Sequence, residues 1–189
     1  MISALTIDGH DFTVSHEYDD SAGAPWENSD GHGPVSSYTN RRKRPGELVL
    51  IQTPNGSRRF YDYATAREQA RRDGWGLHPS QLDALTARLG RLPTQRQIHH
   101  QAVMSDFDYL RGWCNDDWHY VGVIVTHTAT GLSTSLWGID SNAHTYLDEV
   151  ARDLANQLLK EITTAATVET STINSILASV ARAAAGVPA

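Results

Sequence analysis

Two runs of β-branched and aromatic residues, each folded back on itself across a glycine turn, constrain this chain more than any other feature. Glu47 to Thr53 is β-rich, Pro54-Asn55-Gly56 is a strong turn signal, and Ser57 to Tyr63 returns with Phe60, Tyr61 and Tyr63. Trp118 to Thr128 carries Val121, Val123, Ile124 and Val125; Ala129-Thr130-Gly131 turns it, and Ser133 to Ile139 returns through Leu136, Trp137 and Ile139. Runs joined by such short turns pair antiparallel, which argues against a doubly wound parallel sheet.

Helices fill the rest. Thr65-x-x-Glu68 opens a short one ending at Asp73-Gly74, and Ser80-x-x-Asp83 opens a second with Leu82, Leu85 and Leu89 on one face. Thr94-x-x-Gln97 opens a third, on which Val103, Phe107, Leu110 and Cys114 follow helical spacing. Asp140 or Ser141 caps a long helix to about residue 162; a Thr- and Ala-rich joint over 163–172 then leads to a last helix built on Ile173, Ile176, Leu177 and Val180. The first twenty residues read as a strand or hairpin around Phe12, Val14 and Tyr18, and 20–40 as a long ordered loop. The expected fold is α+β: two antiparallel hairpins packed with several helices, plus a separable C-terminal helix. One domain is expected over 1–162, followed by a linker and an amphipathic helix over 163–189 that docks or oligomerises.

No segment reaches the roughly 20 apolar residues of a membrane helix, and the first residues lack a basic, apolar leader. The lone Cys114 excludes an internal disulfide framework and a cysteine zinc site, so the expected compartment is the cytoplasm. The net charge of −6 is unevenly spread. Residues 1–40 carry seven acids and no Lys or Arg, whereas 41–72 carry nine bases against three acids. Such blocks either pair internally or present two faces of opposite sign.

Two segments crowd tryptophan against polar groups: Pro25 to Pro34, with Trp26, Glu27, Asn28, Asp30 and His32, and Trp113 to His119, with Asn115, Asp116, Asp117 and Trp118. Aromatic anchors beside amides and carboxylates are the composition of binding surfaces, making Trp26, Glu27, Asn28, Trp113, Asn115 and Trp118 candidate binding residues. Asp30 and His32, two apart on flexible backbone, suit an acid/base pair, and with Glu27 a divalent ion. They equally suit an Asx-type turn. Asp116, Asp117 and His119 form a second cluster that can ligate a metal or simply end a helix. These five, Asp30, His32, Asp116, Asp117 and His119, are the catalytic candidates. No recognised metal-site spacing is present, and no metal residue or required cofactor is assigned. The remaining basic run, Arg41, Arg42, Lys43 and Arg44, together with Arg58 and Arg59, can grip phosphates while Tyr38, Phe60 and Tyr61 stack on bases. The acidic whole argues against that use. No serine-nucleophile elbow, P-loop or dinucleotide turn occurs.

Taken in order, the motifs Pro25-Trp-Glu-Asn-Ser-Asp-Gly-His-Gly-Pro-Val-Ser36, Arg44-Pro-Gly-Glu47, Gly56-Ser-Arg-Arg-Phe-Tyr-Asp62, Ala70-Arg-Arg-Asp-Gly-Trp-Gly76, Tyr109-Leu-Arg-Gly-Trp-Cys-Asn-Asp-Asp-Trp118 and Ser135-Leu-Trp-Gly-Ile-Asp-Ser141 resemble a family of small accessory proteins encoded by tailed bacteriophages. The resemblance spans about residues 24–158. It implies origin rather than mechanism: a phage protein acting in the bacterial host cytoplasm. The expected function is non-enzymatic binding of a host or phage macromolecule, with an anti-defence or host-takeover role. The alternatives are nucleic-acid binding through the basic run and a metal-dependent hydrolase acting on nucleic acid or nucleotide. A homo-oligomer through the C-terminal helix is a further expectation.

Overall fold

In chain order the elements are β1 (Ile2–Ile7), β2 (His10–Tyr18), α1 (Pro25–Asn28), β3 (Glu47–Gln52), β4 (Arg58–Asp62), α2 (Tyr63–Asp73), α3 (Pro79–Leu89), α4 (Gln95–Cys114), β5 (Tyr120–His127), β6 (Ser133–Asp140) and α5 (His144–Ala185). The structure, a computed structural model, describes residues 2–28 and 31–185. The fold is α+β, with one antiparallel sheet of order β1-β2-β5-β6 and a separate β3-β4 hairpin.

The described residues group into two compact units, 1–19 with 120–189 and, inserted between them in sequence, 20–119. Where the sequence suggests one domain through 162, β2 pairs with β5, a strand a hundred-odd residues away, instead of with its sequence neighbour β3.

In the first unit, Asp8 and Gly9 take positive φ (50° and 81°), the conformation that lets a two-residue turn follow the twist of its strands. Alternation then puts Phe12 and Val14 of β2, Val121, Val123 and Val125 of β5 and Ile139 of β6 on one face. They pack there against Leu147, Val150, Ala151, Ala155 and Leu158 of α5. Each fully buried valine or larger side chain contributes about 1.5–3 kcal/mol. The Asp19 amide donates to the Tyr120 carbonyl at 3.0 Å, and the buried Asp19 carboxylate accepts from the Gly138 amide at 3.1 Å. The chain thus leaves and re-enters this unit at adjacent residues.

The α5 helix departs from expectation. It runs unbroken from His144 to Ala185, with no linker at 163–172. The hydroxyls of Thr163, Thr164, Thr167, Thr170 and Thr172 each donate to the carbonyl four residues earlier, so they are satisfied within the helix rather than by breaking it.

In the second unit, Leu50 and Tyr61 of the hairpin pack with Ala66 and Ala70 of α2 and Val103, Phe107 and Leu110 of α4. Residues 34–39 run along the free edge of β4: the Ser36 amide donates to Phe60 O, Thr39 and Arg58 exchange amide–carbonyl bonds, and the Asp62 amide donates to Pro34 O. The end of the expected loop, 34–39, is therefore bridged to β4 as an irregular edge segment. Thr94 and Gln97 form their capping box, but α2 starts earlier, with Asp62 Oδ1 accepting from the Thr65 amide, and α3 opens at His78-Pro79. Proline at the first helical position costs no backbone hydrogen bond, so Pro79 favours the earlier start.

Candidate functional site

The two tryptophan segments meet within the second unit. The Trp26 and Trp113 rings pack edge to face, 5.2 Å between centroids. On the other side of Trp26 lies the Arg59 guanidinium, 4.7 Å from the Trp26 ring and 4.5 Å from that of Tyr38. Trp26 comes from the short helix α1, Tyr38 from the segment along the edge of β4, Arg59 from β4 itself, and Trp113 from the last turn of α4. Edge-to-face aromatic pairs and cation–π contacts each contribute roughly 0.5–1.5 kcal/mol, enough to fix the rings before a partner arrives. The Arg59 Nε is buried without a hydrogen bond. Among the described residues no ion pair takes this guanidinium either. Tyr38 is 48% exposed, while Trp26 and Trp113 are half-buried. The result is an aromatic clamp around a cation that has no acid partner among the described residues.

Cys114 adjoins this clamp. Burial pushes its thiol above the ordinary range, Arg59 pulls it back in part, and Asp116 adds to the rise.

Behind the clamp, Asp106 of α4 anchors the polar loop. Its carboxylate meets His32 Nδ1 at 2.6 Å and accepts from the Gly33 amide at 2.9 Å and the Tyr61 hydroxyl at 2.7 Å. His32 also stacks on Tyr109, 5.5 Å between centroids and 11° between planes. Burial, then the Asp106 charge, holds the Tyr61 phenol far above its ordinary range, so it stays protonated and donates. A Cβ on Gly33 would overlap the Tyr61 hydroxyl and Ala66, so only glycine lets the loop come this close. Asp106 is the residue that sequence reasoning missed. Its signal was present: three residues past Val103 and four before Leu110, it lies on the apolar face of α4.

The other sequence candidates separate. Trp118 is buried, its indole N–H donating to the Tyr109 carbonyl and its ring 4.4 Å from that of Tyr109, so it is a core anchor. Asn115, Asp116, Asp117 and His119 are exposed. Asp116 sits at φ 60° where α4 ends, and the Asn115 and Asp117 amides donate to carbonyls of its last turn. Glu27 Oε2 accepts from the Ala24 amide at 3.4 Å, a cap for α1. Asp30 and the side chain of Asn28 lie outside the described residues. Among those described, no three of His, Cys, Asp and Glu group as a metal site requires.

The basic run is divided. Arg41 forms a two-pronged pair with Glu47 (2.7 and 2.5 Å) and lies over the buried Phe60 ring. That pairing raises the basicity of Arg41 and holds the Glu47 carboxyl below its usual range. Arg58 donates to Gln52, whereas Arg42, Lys43 and Arg44 are exposed. Phe60 and Tyr61 are fully buried and cannot stack on bases, which corrects that expectation.

Comparison with family models, curated proteins and solved structures finds no match to this chain. Among the described residues no helix is long and apolar enough to cross a membrane.

Proposed function

We propose that this chain is a non-enzymatic accessory protein of a tailed bacteriophage, acting in the host cytoplasm by binding a host or phage protein. Its binding face is Trp26, Tyr38, Arg59 and Trp113. The observation that carries this reading is the Arg59 guanidinium held between two aromatic rings without an acid among the described residues. Trp, Tyr and Arg dominate the energetic centres of protein interfaces, and a guanidinium whose Nε is buried without a partner favours a ligand that brings a carboxylate. The phage origin rests on the motif resemblance.

Capture from host lysate on the immobilised protein tests the reading: a stoichiometric partner is expected, lost with Trp26→Ala or Arg59→Met and retained with Asp117→Asn. Recovery of no partner, or equal recovery by all variants, would overturn it. The nucleic-acid alternative draws on the exposed Arg42, Lys43 and Arg44. It predicts binding that weakens steeply with salt and on neutralising those three residues, not Trp26.

The same reading includes self-association. On the distal part of α5, Ile173, Ile176, Leu177 and Val180 are each about half exposed or more. Their spacing is that of a helix-pairing stripe, and the proposed occupant is the same stripe of a second copy.

A further inference from the structure

A second site lies between α2 and α4, separate from the aromatic clamp. A cleft of about 690 Å³ opens there, lined by Tyr63, Arg67, Arg71, Arg96 and His99, with Glu68 as the one acid on its wall. The volume suits a nucleotide-sized ligand. Arg67 and Arg71 stand one turn apart on α2, so their charges share one face. Arg96 is in the first turn of α4, with His99 three residues further along the same side. A cation in a helix's first turn is disfavoured by the helix dipole, so Arg96 concentrates positive potential where the fold alone gains nothing from it. Two arginines nearby do pair with acids, Arg41 with Glu47 and Arg72 with Asp73. Among the described residues Arg67, Arg71 and Arg96 have no such ion pair. Gly46 and Ala64 also line it: the carbonyl of Gly46, a residue at φ 83°, accepts from the Ala64 amide, and a Cβ on Gly46 would crowd the Ala64 methyl at 2.9 Å.

We infer that this cleft binds a nucleoside polyphosphate, its phosphates held by Arg67, Arg71 and Arg96. Guanidinium groups meet phosphate oxygens in pairs, and three of them around one cleft match a chain of phosphates better than a single anion. Glu68 supplies an acceptor for a ribose hydroxyl or base amino group, a role that free phosphate does not need.

Calorimetric titration of the full chain in EDTA, with ATP, pyrophosphate, adenosine and a 20-nucleotide single strand, tests the inference. ATP is expected to bind more tightly than pyrophosphate or the strand, and adenosine not at all. Arg67→Gln, Arg71→Gln and Arg96→Gln should each weaken ATP at least tenfold, while Arg152→Gln, exposed on α5, leaves it unchanged. Arg96→Lys, the mildest change to the helix, should weaken it severalfold and guards against a folding defect in the glutamine variants. No heat with millimolar ATP, or ATP binding indifferent to the cleft variants, would overturn the site. Equal affinity for pyrophosphate would overturn the nucleoside part, and tighter binding of the strand through the same arginines would replace a nucleotide with nucleic acid.

Discussion

Asp106 Oδ1 stands 2.6 Å from His32 Nδ1, so a carboxylate on α4 grips the most polar motif of the chain. Tyr61 and the Gly33 amide share the other oxygen. The arrangement is a clasp: it fixes the course of the loop that leads on to the edge of β4 and to Tyr38.

Breaking the clasp is expected to be expensive. Asp106→Ala strands the buried Tyr61 hydroxyl and the Gly33 amide, and stability should fall by about 2–4 kcal/mol. Tyr61→Phe removes one bond and should lose about 1 kcal/mol. Urea denaturation reads both; a loss for Asp106→Ala no larger than for an exposed aspartate would show that the loop is held by other contacts.

Gly33→Ala should destabilise by about 1–3 kcal/mol through overlap with Tyr61 and Ala66. Gly76→Ala, with open space around it, is the control and should change the melting temperature far less.

Arg59→Met separates stability from recognition. The substitution removes a buried N–H without a partner and keeps a long apolar stem between Trp26 and Tyr38. Thermal unfolding should be unchanged or shifted upward while partner capture disappears. A lower melting temperature would assign the guanidinium a structural role.

Cys114 should behave as a sluggish thiol. Burial raises its pKa, so iodoacetamide should modify the folded protein more slowly than the urea-unfolded chain at pH 8. The linkage has a definite sign. A raised thiol pKa contributes stability that is complete below the unfolded value and is lost as pH rises through the folded one. Melting temperatures should therefore decline on the alkaline side, less steeply in Cys114→Ala.

For α5, Ile173→Glu with Leu177→Glu should convert a dimer to a monomer by light scattering, with the unfolding transition of the sheet preserved. Unchanged mass would rule out pairing through this stripe.

The hairpins, the core stripe of α4 and the Thr94 cap were legible because periodicity and capping are local properties. The pairing of β2 with β5 was not, since strand partners across a long insertion leave no mark in either strand. The Thr-rich stretch of α5 misled for a physical reason: threonine is a poor helix former, but propensity is a weak local bias, and the helix runs through it. At the site, the tryptophans were visible as exceptions to core composition. The exposure of Tyr38 against the burial of Trp118 was not, because an aromatic beside polar residues reads alike in both settings.

The bond from Asp19 to Tyr120 has a consequence for how the protein is made. During synthesis β1 and β2 leave the ribosome first, but β5 follows only after the intervening residues 20–119. At ordinary elongation rates that delay is roughly 5–20 s. If the inserted unit folds within that interval, closing the sheet no longer requires ordering a long slack loop, and the entropy of that closure has already been met. The last part of the chain to fold should then be the sheet built on its first residues.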